Sequence, residues 1–453
     1  MVGSGGEIPP NSITAACVTR HLLPTLRDAN LPRVLTGAQR LACELGTSDP
    51  QDNPGPDMHD FFLTDEDRAF RAELRDFMAR ELAPRVDAIE RNQDFSTQTA
   101  VARALGEAGY LKLMFTDLYS GPLSAPGLTH AVIVSEEAAY LNYAFETTIA
   151  TALSCAYPIH RHARPALRER YLTPILEGRA VGSICMTEPG VGSDSAGMTT
   201  RIRFDDSTRE WVIDGFKRYI SNAGEADVYI VWGITDPDLP PQKGMSAVLV
   251  PAGTPGLSVP RLYDFMGRRG SVVGEVTLDQ VRVPEENLLG EVNQGFAIML
   301  GAFNFERVIL GGSGLGVARA AFDLAKDHAQ SRVSFGQKLG QKQLIWDMVA
   351  QMSWRIDAAE LLTHRAAKMY DAGLGGKDLM REASQAKLVA SETAVFCSDR
   401  AVQILGGDGV TRQYGRVEQL YRDARALPIV GGTSEMCKYL IAAREMPAIR
   451  PNL

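Results

Sequence analysis

The sequence predicts an α+β chain built in three parts, in the order helices, strands, helices. Three observations carry that prediction. The chain has 453 residues, and at about 150 residues per domain that length fits roughly three domains. Hydrophobic residues make up 45% and charged residues 23%, the proportions of a chain that buries a sizeable core. The spacing of apolar residues changes from helical to strand-like near residue 184 and back to helical near 293. The expected parts are an extension over 1–57, a helical part over 58–183, a strand part over 184–292 and a second helical part over 293–453.

Residues 45–58 (LGTSDPQDNPGPDM) read as a linker because Pro, Gly, Asp and Asn punctuate them. The segment before it is expected to be disordered or partly helical, or the chain to start in effect at Met58. Thr64 caps a predicted helix whose first turn, Asp65, Glu66 and Asp67, suits the positive end of the helix dipole. Phe70, Leu74, Phe77, Met78 and Leu82 form its apolar stripe, and Pro84 ends it. Helical spacing continues to about residue 180, with a loop at 120–128. Strands are expected at 211–216, 227–234, 246–251 and 274–283, separated by Gly, Pro and Asp turns. From Gly295 to about Met446 the helical spacing returns.

Composition excludes several functions. The net charge of -8 argues against a general binder of nucleic acid or anionic membranes. No run of 18 apolar residues is present, so no spanning helix is expected. The six cysteines, at 17, 43, 155, 185, 397 and 437, show no C-x-x-C spacing and fit a reducing compartment. A cytoplasmic location is expected. Glu7 set against Arg20 and Arg27 gives a faint transit-peptide character, which makes the mitochondrial matrix the alternative. Neither a metal-binding His or Cys pattern nor a complete G-x-S-x-G or G-x-G-x-x-G motif is present. The glycines at 311, 312 and 314 are expected to allow close helix packing instead.

The most informative string is MTEPGVGSDSAGMTT, 186–200. Its glycines let backbone approach a ligand closely, and its hydroxyls suit a phosphate or a polar ring edge. Glu306 is the second candidate. On a helix, Met299, Phe303, Glu306 and Leu310 share one face. A carboxylate in an apolar stripe needs a partner or a raised pKa, and a poised general base needs that environment.

The string at 186–200 resembles the T-E-P-x-x-G-S-D signature of the flavin-dependent acyl-CoA dehydrogenases. FKRYISNAG (216–224), TPGLSV, RRGS and VRVPEENLLGE (within 254–291), SRVSFGQKLGQKQ (331–343), AVQILGGDGVTRQYGRVEQLYRDAR (401–425) and GGTSE (431–435) follow in the family's order. The resemblance implies a helical N-terminal domain, a β-barrel middle domain, a C-terminal four-helix bundle, bound FAD and a homotetramer. It implies an acyl-CoA or acyl carrier protein substrate and electron-transfer flavoprotein as acceptor. Carried over residue by residue, Ile184, Met186, Thr187, Ser193, Tyr219 and Ser221 would meet the flavin. Arg332, Ser334, Phe335, Gln403 and Gly407 would meet the adenosine and pyrophosphate from a neighbouring subunit, and Thr433 and Glu435 would also touch FAD. Ser193, Asn304, Arg307, Gly431 and Gly432 would contact substrate. Most members take their catalytic base from an E-G-T loop, where this chain has Gly431. Isovaleryl-CoA and long-chain members take it from a helix segment resembling L-x-x-E-R, where this chain has Glu306. The implied reaction is α,β-dehydrogenation of an acyl thioester, with a short branched acyl group first. Carrier-linked or long-chain substrates, a flavin oxidase and a non-catalytic subunit are the alternatives.

Overall fold

A computed structural model of the chain describes residues 63–91 and 95–448. The extension 1–57, the linker, Met58, Cys17 and Cys43 lie outside the described residues. The N-terminal helices are α1 (Asp65–Glu81), α2 (Phe95–Glu107), α3 (Leu128–Leu141) and α4 (Tyr143–His162). Thr64 caps α1 by accepting from the Asp67 N–H at 3.1 Å, while the Asp67 carboxylate accepts from the Thr64 N–H, a reciprocal capping box. Phe70, Leu74, Met78 and Leu82 are buried as predicted, and Phe77 is half-buried.

Every residue of α3 is buried, two acids included. Glu136 pairs with Arg71 at 2.9 Å and with Arg319, and Glu137 pairs with Arg75 at 3.0 Å. Glu136, Glu360 and His364 bring potential metal-ligand atoms within 4.8 Å of one another. Arg71 and Arg319 already supply positive charge there, which leaves no electrostatic need for an ion. The N-cap of α3 is Gly127, which has no side chain. Asp371 does that work from another helix, accepting from the Leu128 N–H at 2.6 Å and from Thr129.

Seven strands follow: β1 (Gly182–Cys185), β2 (Arg201–Asp205), β3 (Glu210–Ser221), β4 (Val228–Ile234), β5 (Met245–Pro251), β6 (Leu257–Ser258) and β7 (Val273–Pro284). They pair in the order β1-β4-β2-β3-β7-β6, with β5 on the other side of β4. The expected barrel is an open, half-barrel sheet. One face buries Val276, Val281 and Tyr229 in its own core. The other places Val228, Ile230 and Trp232 in the core shared with the N-terminal helices. The Trp232 indole donates to the Gly295 carbonyl at 3.0 Å, which docks the sheet on the start of the next helix.

That helix, α5 (Gly295–Ser331), is long and apolar enough by length and composition to cross a membrane, although it holds no unbroken run of 18 apolar residues. Within the fold 78% of its most apolar window is buried, the signature of a core helix. It packs on α3, on α6 (Gln343–Asp371) and on α7 (Met380–Leu405). The small residues explain the close approach: a Cβ on Gly314 would lie 2.7 Å from Ala390 backbone, and one on Gly316 2.1 Å from the Glu136 carbonyl. A two-stranded hairpin, Val333–Ser334 with Gln337–Lys338, interrupts the helices, and α8 (Val417–Ala424) and α9 (Ser434–Glu445) complete the chain.

Candidate active site

The site begins at the end of β1. Ile184, Met186 and Thr187 are half-buried there. Strand β3 is fastened beside them: the Arg218 N–H donates to the Thr187 carbonyl at 2.8 Å, and the Ser183 hydroxyl donates to the Ser221 carbonyl at 2.7 Å. Tyr219 is 52% exposed and adopts φ +57°, with its ring 5.0 Å from that of Tyr263. The loop at 186–200 is tied down by a residue that sequence reasoning passed over. Glu188 accepts from the N–H and hydroxyl groups of both Thr199 and Thr200 and from the Lys217 ammonium at 2.9 Å. Burial opposes its charge, but Lys217 and the threonines outweigh it and bring its pKa down to about 2. Lys217 also donates to the Met186 and Trp232 carbonyls, so one buried ammonium joins the loop to two strands. Ser193 stays exposed, and Gly190 and Gly192 have open space where a side chain would project.

A second group gathers where α5 ends. Arg332 and Phe335 are exposed and Ser334 is half-buried. His328, one turn before Arg332, feels the charge of both Arg332 and Asp408, so the turn after α7 that carries Gly407 comes to the same end. Gln403 and Gly407 are exposed there.

The third group surrounds Glu306. Met299 and Leu310 are buried, while Phe303 and Glu306 are half-buried. Burial pushes the Glu306 carboxyl up to about 7, against the pull of the Arg307 and Lys387 cations. No cation lies within ion-pair distance of it among the described residues. The turn before α9 closes over this carboxyl with two left-handed glycines, Gly431 at φ +64° and Gly432 at φ +96°. A Cβ on Gly431 would sit 4.0 Å from Glu306 Oε1 and 2.3 Å from Leu310 Cδ1. The left-handed backbone at 431 favours glycine, and a side chain there would press on the end of Leu310.

Arg307 does not face substrate space alone. Its guanidinium donates to the Gly431 carbonyl and to Asn304 Oδ1, each at 3.3 Å. Asn304 is 4% exposed, and its amide donates to the Gly376 carbonyl at 2.7 Å. Thr433 caps α9, accepting from the Met436 N–H at 3.3 Å, and Glu435 is exposed in the first turn. Two residues here were missed from sequence. Lys387 on α7 is fully buried and donates to the Gly432 carbonyl at 2.7 Å. Glu146 on α4 is a second buried carboxyl close enough to feel Glu306.

Half-buried apolar side chains, hydroxyls and open glycines at the end of a sheet suit a flat ring with polar edges. Exposed arginine and glycine at a second locus suit a diphosphate. Three family models match the chain: the acyl-CoA dehydrogenase N-terminal domain over residues 64–179, the middle domain over 183–281 and the C-terminal domain over 293–446. The chain belongs to the acyl-CoA dehydrogenase family. Members of this acyl-CoA dehydrogenase family are FAD-dependent oxidoreductases acting on CH–CH bonds. A probable acyl-CoA dehydrogenase, YngJ, of Bacillus subtilis is 34% identical over 84% of this chain and 98% of its own. The structure of butyryl-CoA dehydrogenase from Megasphaera elsdenii superposes with TM-score 0.79 at 31% identity, covering 85% of this chain and all of that one. A glutaryl-CoA dehydrogenase from Mycobacterium smegmatis in complex with FADH2 superposes with TM-score 0.75 at 26% identity, covering 85% and 95%.

Proposed function

We propose that this acyl-CoA dehydrogenase desaturates a short acyl-CoA between Cα and Cβ, with Glu306 as the base. One observation carries the assignment of the base. Glu306 is held near neutrality by burial, without an ion-pair partner, under a turn whose loop position is glycine. A group of that pKa takes a proton at physiological pH and releases it readily.

The chain's residues divide the work. The Glu306 carboxylate receives the α-proton. The N–H groups of Gly431 and Gly432 have no hydrogen-bond partner among the described residues. They stand free to donate to the thioester oxygen as charge builds on it. Arg307 fixes that turn by holding the Gly431 carbonyl. Ile184, Met186, Thr187, Ser193, Tyr219 and Ser221 hold the flavin ring, and Thr433 and Glu435 border it. Arg332, Ser334, Phe335, Gln403 and Gly407 hold the adenosine diphosphate end across a subunit boundary. Bound FAD supplies the acceptor for the β-hydride.

A short chain is supported by likeness to a butyryl-CoA enzyme. A branched one is supported only by the helix position of Glu306, which long-chain and carrier-linked enzymes share. Electron-transfer flavoprotein is the proposed acceptor, a tetramer the proposed assembly and the cytoplasm the proposed location. The test is an anaerobic titration of the purified holoenzyme with a panel of straight, branched and dicarboxylic acyl-CoAs, read as loss of oxidised-flavin absorbance. Bleaching fastest with acyl groups of four to five carbons supports the reading, and bleaching by none of the panel overturns it.

A further inference from the structure

Two buried cations flank the turn beside Glu306, and no carboxylate lies within ion-pair distance of either among the described residues. Buried Arg and Lys are ordinarily paired, as Arg71 and Lys217 are in this chain. Arg307 on α5 is 6% exposed and Lys387 on α7 has no exposed surface. Each spends a donor on a carbonyl instead, Arg307 on Gly431 and Lys387 on Gly432. A trans peptide points its N–H opposite to its C=O. Holding the Gly431 and Gly432 carbonyls therefore fixes the Gly432 and Thr433 N–H groups, and with them the turn that carries the Gly431 N–H. Arg307 has a further anchor in Asn304 and a sequence position that attracts notice. Lys387 has neither, and it makes the short bond to the second carbonyl, which the Cys437 thiol meets only at 3.9 Å.

We infer that Lys387 is a positioning residue for proton abstraction: it locks the left-handed turn at 431–432 and leaves one buried positive charge beside the thioester's oxygen. The inference rests on the acyl-CoA reading above. The step it assists is heterolytic and involves no oxidant. The Cα–H bond breaks, its proton passes to Glu306, and its electron pair becomes the enolate, whose charge resides on the thioester oxygen. Burial lowers the Lys387 pKa to about 8, and Cys437, Glu306 and Glu435 on one side and Arg307 on the other adjust it.

The test uses acetoacetyl-CoA, a thioester that enolises without giving up a hydride. The holoenzyme, Lys387→Met and Lys387→Arg are compared by the pH at which the bound ligand turns into its enolate, read by absorbance. Lys387→Met is expected to raise that pH by about one unit, a tenfold weaker preference for the enolate. Affinity for the neutral ligand should change less than about threefold, and Lys387→Arg should restore most of the shift, because guanidinium keeps both charge and donor. If Lys387→Met sheds its FAD, Lys387→Gln carries the test, and it should show a smaller shift because it keeps a donor but no charge. An unchanged enolisation pH in the variant that retains FAD overturns the inference. Failure of the wild-type enzyme to bind or enolise the ligand would instead count against the acyl-CoA reading.

Discussion

Glu306 was legible in the sequence because the misfit was local: a lone acid in an apolar helical stripe, with glycine at the loop position that usually holds the base. Lys387 was not, because AKLVASE reads as any amphipathic turn and its partner, the Gly432 carbonyl, arrives from 45 residues away. Glu146 was equally silent, since only folding brings α4 against Ser135 and Ser313. Its carboxyl accepts from Ser135 at 3.1 Å while its second oxygen has no partner. Two pH predictions follow at this scale. kcat/KM should rise with pH through a limb near 7, the value to which burial lifts Glu306, because only the unprotonated carboxylate takes a proton. Burial also raises Glu146 from 4.5 to about 7, with Glu306 adding to it. Between those values the unfolded chain releases this proton and the folded chain keeps it. Stability therefore falls as pH rises, by about 1.4 kcal/mol per unit and about 3 kcal/mol in all. Thermal unfolding should show Glu146→Gln gaining stability over wild type at pH 8 and little at pH 5.

At the scale of elements, the long helices and the four longer strands fell where the apolar spacing put them. Strand β2 was missed, although Ile202 and Phe204 alternate with charged residues, because five residues give too short a pattern. The barrel became a half-barrel because β5 and β6 remain unjoined edges, a closure that spacing cannot encode. The hairpin at 333–338 lay hidden inside a helical stretch. The turn before α9 is the element on which the proposed chemistry depends. Gly431→Ala would bring a Cβ to 2.3 Å from Leu310 and strain a positive φ. It should cost about 1–2 kcal/mol in stability and lower kcat by about tenfold or more through displacement of the turn, checked by chemical unfolding and steady-state kinetics. The Glu188–Lys217 bond does the same service for the 186–200 loop. Lys217→Met strands a buried carboxylate and should cost about 3–5 kcal/mol; FAD-to-protein stoichiometry would fall with it.

Across the whole molecule, the predicted order of helices, strands and helices holds, and the three parts share a core through Trp232 and α5. What the sequence could not supply was the convergence of α5, α7 and the turn before α9, contributed by residues up to 126 positions apart, on one carboxyl. The surface carries an unresolved demand as well. Phe335 is 95% exposed, Leu344 76% and Trp346 68%, large apolar side chains that a subunit contact would cover. Sedimentation should find the holoenzyme as a tetramer, and Trp346→Glu should shift it toward smaller species. The central claim, that Glu306 starts the reaction, is tested most directly by mixing Glu306→Gln holoenzyme anaerobically with the best acyl-CoA and timing flavin bleaching. Bleaching should slow by about 10³-fold or more, with the ligand still bound. Bleaching at the wild-type rate would contradict it.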